Sequence, residues 1–327
     1  MTHRSEPARH GRPSPAAILV VPLAVALILA LFAWPSARLE PRDLPIGVAG
    51  APAQAGAIEQ RLAQQEGAFE IERYADEAAA RAAIEDREVY GAFVAGPGGP
   101  KVLTASAASP TVAQLLTRAA EEQGELPVQD VVAAGPRGAA LPSSVLPLLI
   151  AGILTGVVAS TLASRAAGRA ALVAVGSVLA GLVATAIVQS WLEIVRGDWL
   201  MNAGALSLMI AAIAAAVAGM NALLGPKGIG LAALLIVLVG NPLSGVASAP
   251  ELLPRPVGDI GQLLSAGAGG NLLRSTGYFD GAAAGGHVAV LTAWLLLGLV
   301  LLAIAGRRDR RRAAAAQPAL REPALTA

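Results

Sequence analysis

Six stretches of this chain carry no charge at all. Residues 16–34, 141–163, 170–192, 200–226, 228–249 and 288–306 contain no Asp, Glu, Lys, Arg or His. Each, wound as a helix rising about 1.5 Å per residue, is long enough to cross a hydrocarbon core of about 30 Å. The apolar residues make up 55% of the chain and fall in continuous runs, the pattern of spans rather than of one soluble core. The expected fold is a polytopic α-helical membrane protein with six transmembrane helices. Between helices 1 and 2 it carries an inserted extracytoplasmic α/β domain.

Charge sorts by side. With the N-terminus in the cytosol, the pieces on that side hold Arg4, Arg9 and Arg12, Arg165 and Arg169, Lys227, and the cluster Arg307, Arg308, Arg310, Arg311 and Arg312. With Arg321 and the acids Glu6, Asp309 and Glu322 included, these pieces total +9 against −8 on the other side, together the chain's net +1. Every basic cluster thus falls on one face, as the positive-inside rule requires. The opposite orientation would put the C-terminal arginine cluster outside. Both termini are therefore expected in the cytoplasm and 35–140 outside, in the plasma membrane of a bacterium. The first apolar run exceeds the usual signal-peptide core of about 7–15 residues, so an uncleaved first span is expected. The chain has no cysteine, which removes disulfides, thiolate metal sites and thiol nucleophiles.

The expected divisions are a cytosolic tail over 1–15, a first span over 16–34, the α/β domain over 35–140, a five-helix membrane domain over 141–306 and a basic cytosolic tail over 307–327. Within the α/β domain, apolar and alternating runs predict strands at 44–50, 69–74, 90–96, 101–107 and 128–134. Asp76 and Ser109 stand where helix N-caps belong, the latter followed by Pro110. The order βαβαββαβ implies a small mixed sheet covered by helices. The connection 250–286 is too long for a structureless loop. Pro256 can open a short helix, AGAGGN at 266–271 reads as a glycine break, and NLLRST as a second turn. Such a pair either dips into the outer leaflet and returns or lies on the surface.

Chemistry-bearing motifs are few. The two lysines, Lys101 and Lys227, fit no phosphate-binding loop, so the chain cannot use ATP by itself. The glycines at 267–270 lie outside any βαβ unit and have Leu272 where a dinucleotide loop needs glycine. His3, His10 and His287 form no metal or triad pattern. No cofactor, metal, nucleic acid or enzymatic activity is expected. Gly152 and Gly156 fit close helix packing. Gly240, Asn241 and Pro242 in the fifth span mark the candidate translocation path. Proline there should kink or unwind the helix, and Asn241 is a polar side chain at membrane depth. It reads either as functional or as satisfying carbonyls that Pro242 frees. The spans hold no acidic residue for coupling to an ion gradient.

The layout, with LPIGVAG at 44–50, DEAAARAAIEDREVYGAFVAGP at 76–97, GNPLSGVASAPELLP at 240–254 and LLRSTGYFDGA at 272–282, resembles the permeases of the ATP-binding-cassette type-two exporter family, in particular the phage-infection-protein-like branch. The resemblance implies a permease that forms a homodimer or pairs with a related permease. It implies a separate ATPase subunit as the power source and re-entrant helices before the last span. It also implies a cytosolic coupling loop at 164–170, whose candidate contacts are Arg165 and Arg169. That loop is short and lacks acidic residues, and the N-terminal tail lacks an amphipathic helix. Two readings follow: an exporter subunit for an apolar or amphipathic compound, or a membrane-anchored surface or scaffold protein that kept the fold without the ATPase.

Overall fold

The computed structural model describes residues 15–96 and 98–316. Among them six helices are long and apolar enough to cross a membrane. They are α1 (Pro15–Ser36), α6 (Leu141–Leu162), α7 (Ala166–Thr185, continuing in wide turns to Trp191), α8 (Trp199–Leu224), the helix Pro226–Leu243, and α13 (Ala284–Ala316). The fifth begins as α9 (Pro226–Ala233), widens to π-helical turns over Leu234–Gly240 and closes as α10 (Asn241–Leu243). Helices outrun the charge-free windows where flanking residues suit them: α7 starts at Ala166 and takes Arg169 into its first turn. The tail residues Arg4, Arg9, Arg12, His3, His10 and Arg321 lie outside the described residues.

Helix α8 is the hub. Some 72% of its apolar window is buried, against 6% for α1, which stands at the periphery. A helix apolar on all sides can bury all sides, and the alanines of α8 let neighbours come close. A Cβ on Gly156 of α6 would sit 2.7 Å from the Ala214 carbonyl oxygen, and one on Gly152 would sit 2.7 Å from Ile213 Cβ. From α13, Gly298 lies against Ala215 and Ala216, and its carbonyl would meet a Cβ on Gly219 at 2.6 Å. The Gly152–Gly156 pair is therefore a packing surface for α8.

Between α1 and α6 the chain builds a five-stranded mixed sheet. In order come β1 (Leu44–Gly50), α2 (Pro52–Ala63), β2 (Phe69–Tyr74), α3 (Glu77–Glu85), β3 (Gly91–Gly96), β4 (Gly99–Thr104), α4 (Pro110–Glu122), β5 (Val128–Asp130) and the short α5 (Gly135–Gly138). The spatial order is β2-β1-β3-β4-β5. β1 pairs parallel with β2 and β3, β3 antiparallel with β4, and β4 parallel with β5. Parallel neighbours need a crossover, and α2, α3 and α4 supply them. Central β1 is apolar throughout because both its faces are covered; Leu44, Ile46, Val48 and Ala49 are fully buried. The expected caps form: Asp76 Oδ1 accepts from the Ala79 amide at 2.9 Å and Ser109 Oγ from the Val112 amide at 3.1 Å. The last strand, expected over 128–134, is only three residues long.

The sheet is seated on the bundle. One side of its core takes in Ala249 and Leu252 from the chain after the fifth long helix, and the other takes in Phe279. Ser109 donates to the Ser248 carbonyl.

The 250–286 segment departs from the expected glycine break. A 3-10 turn at Pro250–Leu252 leads to α11 (Val257–Gln262) and then α12 (Ser265–Tyr278), and the break falls at Leu263–Leu264. AGAGGN is helical. Its glycines are there for contact: a Cβ on Gly269 would lie 2.6 Å from Met209 Cγ, and one on Gly270 would strike Val246. At 14 residues α12 is about 21 Å long, too short to cross a bilayer. Ser265 through Gly277 are nevertheless all buried. Just before its start, the Leu263 carbonyl accepts from Trp294 Nε1 at 2.9 Å, ten residues into α13. Near its end, Gly277 meets Val195 and Asn202, beside the start of α8. Helix α12 is thus packed inside the bundle, while Asp259, Ile260 and Leu263 on the α11 side are exposed.

Candidate functional site

The expected path residues sit at the bundle end nearest the sheet. Gly240 and Asn241 keep helical backbone angles, so the fifth helix is widened rather than unwound before Pro242. A π-turn spaces the backbone more loosely and so accommodates a proline with less clash. The helix stops at Ser244, whose amide and hydroxyl both bond the Asn241 carbonyl, at 3.3 and 2.7 Å. Gly245 follows at φ +66°, a conformation that suits glycine. The Asn241 side chain makes no hydrogen bond among the described residues, so it is not what satisfies freed carbonyls. Asn241 and Pro242 instead line a cavity of about 270 Å³, together with Phe32 and Ser36 of α1 and Val145 of α6. Gly240 is not in that wall; its nearest neighbours include Ala266 of α12.

Arg165 and Arg169 lie at the opposite end and play different parts. Arg165 is the exposed N-cap residue of α7, in an extended conformation. Arg169 Nε donates to the Ala163 carbonyl at 2.9 Å and so finishes α6. The connection between α6 and α7 is only Ala163, Ser164 and Arg165, so the two arginines do not share the face of a separate short helix. Beside them is a cavity of about 420 Å³, lined by Ser164, Arg165, Asp309 and Arg310 among others.

A third group was not expected: a polar seam where the sheet meets α11 and α12. Arg87 closes α3 at φ +61°. The Glu88 amide reaches back to the Ala83 carbonyl at 2.9 Å and the Arg87 amide to Ile84 at 3.1 Å, a helix ending in which glycine usually holds the left-handed position. The arginine is kept there by what its guanidinium does. It donates to the Asn271 carbonyl at 3.2 Å, to Asn271 Oδ1 at 3.3 Å and to Ser275 Oγ, and it stacks 5.3 Å over the Phe279 ring centroid. Arg274 of α12 is 2% exposed; it donates to the same Asn271 Oδ1 at 3.0 Å and to the Val246 carbonyl at 2.8 Å. Its Nε has no partner among the described residues. The Asn271 amide donates to Gln262 Oε1 at 2.7 Å, and Gln262 to the Ser244 carbonyl at 2.8 Å. Tyr90 Oη donates to Glu251 Oε2 at 2.8 Å.

Burial governs the electrostatics here. It pulls the Arg87 guanidinium below its usual range. It pulls Arg274 down to about 10, with Arg87 adding to the shift. It also pushes the Tyr90 phenol up, keeping it a donor to Glu251. Neither arginine has a carboxylate within 4 Å among the described residues. The seam encloses a cavity of about 250 Å³, and His287 at the start of α13 is part of its wall.

A second buried polar knot sits where α12 ends. Asn202 of α8, fully buried, donates to Gln189 Oε1 at 2.9 Å and to the Arg196 carbonyl at 2.6 Å, and its Oδ1 accepts from Thr276 Oγ1 at 2.6 Å. Gln189 and Asn202 are polar residues near span ends, and the Asn202 partner Thr276 comes from α12. No family model, no curated protein and no solved structure matches the chain.

Proposed function

We propose that this chain is the permease subunit of an ATP-driven exporter for an apolar or amphipathic compound, powered by a separate ATPase and working as a homodimer or with a related permease. In this reading the sheet domain stands outside the cell, both termini face the cytoplasm, and the chain itself catalyses no covalent step. One observation carries it. The short helix α12, buried from Ser265 to Gly277, packs in the bundle beside a widened, proline-containing helix end, and an uncharged wall of Asn241 and Pro242 faces a cavity there. Irregular backbone at membrane depth is tolerated where it lines a cavity or is buried in protein. The charge-free windows offer no acidic relay for an ion gradient, so energy for uphill export would come from a partner.

A second reading, a membrane-anchored scaffold with the permease architecture and no ATPase, is favoured by the three-residue α6–α7 connection. It gives a motor little to grip. Purification of the full chain from its native membrane in mild detergent separates the two. The exporter reading expects a nucleotide-hydrolysing subunit to come down in fixed ratio. If none does under any mild condition, the scaffold reading replaces it.

A further inference from the structure

We propose that the seam cavity binds a zwitterionic headgroup, a phosphate held by Arg87 with Arg274 behind it and an ammonium group held by Glu251 and Asp259. The proposal goes beyond export: it stands whether or not the bundle translocates anything.

The charges are arranged for such a ligand. Arg87, Glu251 and Asp259 all line the one cavity, yet among the described residues no carboxylate comes within 4 Å of the guanidinium. An ion pair that served only to clamp the domains would close that gap, because a buried charge is costly unless paired. Arg87 is also held in a left-handed backbone, φ +61°, that a glycine would fill more easily. Arg274 adds a second positive charge, converging with Arg87 on Asn271 Oδ1. A phosphate accepts well from a guanidinium fork. On the acidic side, Tyr90 occupies Glu251 Oε2 and leaves Oε1 without a protein partner among the described residues, while Asp259 is exposed. A volume of about 250 Å³ suits a phosphate-and-amine headgroup but not its acyl chains.

The same chemistry is carried by an aminophospholipid and by a free phosphoamine. The lipid is the source this site fits. Ala283 and His287 in the wall flank the first residue of the sixth span, where a headgroup would lie.

The test uses the full chain purified in detergent. Its thermal melting is followed by tryptophan fluorescence against dihexanoyl phosphatidylethanolamine, dihexanoyl phosphatidylglycerol and phosphoethanolamine. The ethanolamine lipid should stabilise the protein at roughly tenfold lower concentration than the glycerol lipid, the size of one charge-assisted contact. Phosphoethanolamine alone should act at least about tenfold more weakly than the lipid; equal potency would overturn the lipid source. Glu251→Gln should erase the preference for ethanolamine while both lipids still bind. Arg87→Gly, which relaxes the backbone, should weaken both lipids about tenfold. Equal action of the two lipids on the unmodified chain would overturn the proposal, as would a preference that survives Glu251→Gln. Should Arg87→Gly not yield folded protein, the Glu251→Gln comparison decides alone.

Discussion

Asn241 and Arg274 are two polar side chains near the same end of the bundle, with opposite bonding. Asn241 makes no side-chain hydrogen bond among the described residues and faces a cavity, whereas Arg274 is buried and bonded to Val246 and Asn271. Replacing Asn241 by Leu should therefore change stability by no more than about 0.5 kcal/mol while lowering export. Melting and export measured on the same membranes check this, and a matching loss of folded protein would make its role structural. Replacing Arg274 by Met leaves the buried Val246 carbonyl unpaired. Each bond to a charged donor contributes about 1.5–3 kcal/mol, so a clear fall in melting temperature is expected. Lysine should recover only part of it, having the charge without the fork. Sequence marks Arg274 as a lone charge in an apolar segment. It does not mark the Val246 carbonyl it bonds, or the Arg87 guanidinium that shares Asn271 with it, because both come from distant parts of the chain and no local pattern records such meetings.

Helices and strands were legible where period and caps dictate them, and least legible where packing overrides propensity. The apolar run of β1, the alternation of β2 and the caps at Asp76 and Ser109 are local signals, and the sheet forms on them. AGAGGN misleads because glycine costs about 1 kcal/mol in a helix and so reads as a break. In α12 that cost is offset by contacts only glycine allows, with Met209 and Val246 at touching distance. The same logic sorts glycines elsewhere. Gly298→Ala would drive a methyl into Ala215 and Ala216 and should lower stability by about 1–3 kcal/mol. Gly204→Ala and Gly230→Ala, in helices with open space around the added carbon, should be neutral or stabilising by up to about 1 kcal/mol. Thermal unfolding of the three variants in one detergent gives the comparison; a neutral Gly298→Ala would mean that α13 is not held closely to α8.

At the scale of the whole molecule, the bundle has two unlike ends. The sheet, the seam and the Asn241 cavity share one end, and the α6–α7 turn and the α13 arginines share the other, where a Cβ on Gly306 would lie 2.9 Å from Ala166 Cβ. Since the chain has no cysteine, single cysteines report the two ends directly. On intact cells a membrane-impermeant thiol reagent should label Gly98→Cys and spare Arg310→Cys; labelling of the latter would overturn the cytoplasmic assignment of the C-terminus. In the exporter reading, the arginine end is also where an ATPase would dock. Arg169 caps α6 through the Ala163 carbonyl, so reversing it would disturb folding and docking together. Arg165 makes no such bond among the described residues and lines a cavity of about 420 Å³ with Asp309 and Arg310. It is the residue whose charge can be reversed without touching a helix cap bond. Arg165→Glu should leave melting and cysteine labelling unchanged while lowering both ATPase co-purification and export. If the ATPase still comes down with Arg165→Glu, the short turn is not its grip. If export fails with the ATPase still bound, Arg165 transmits the stroke rather than holding the motor.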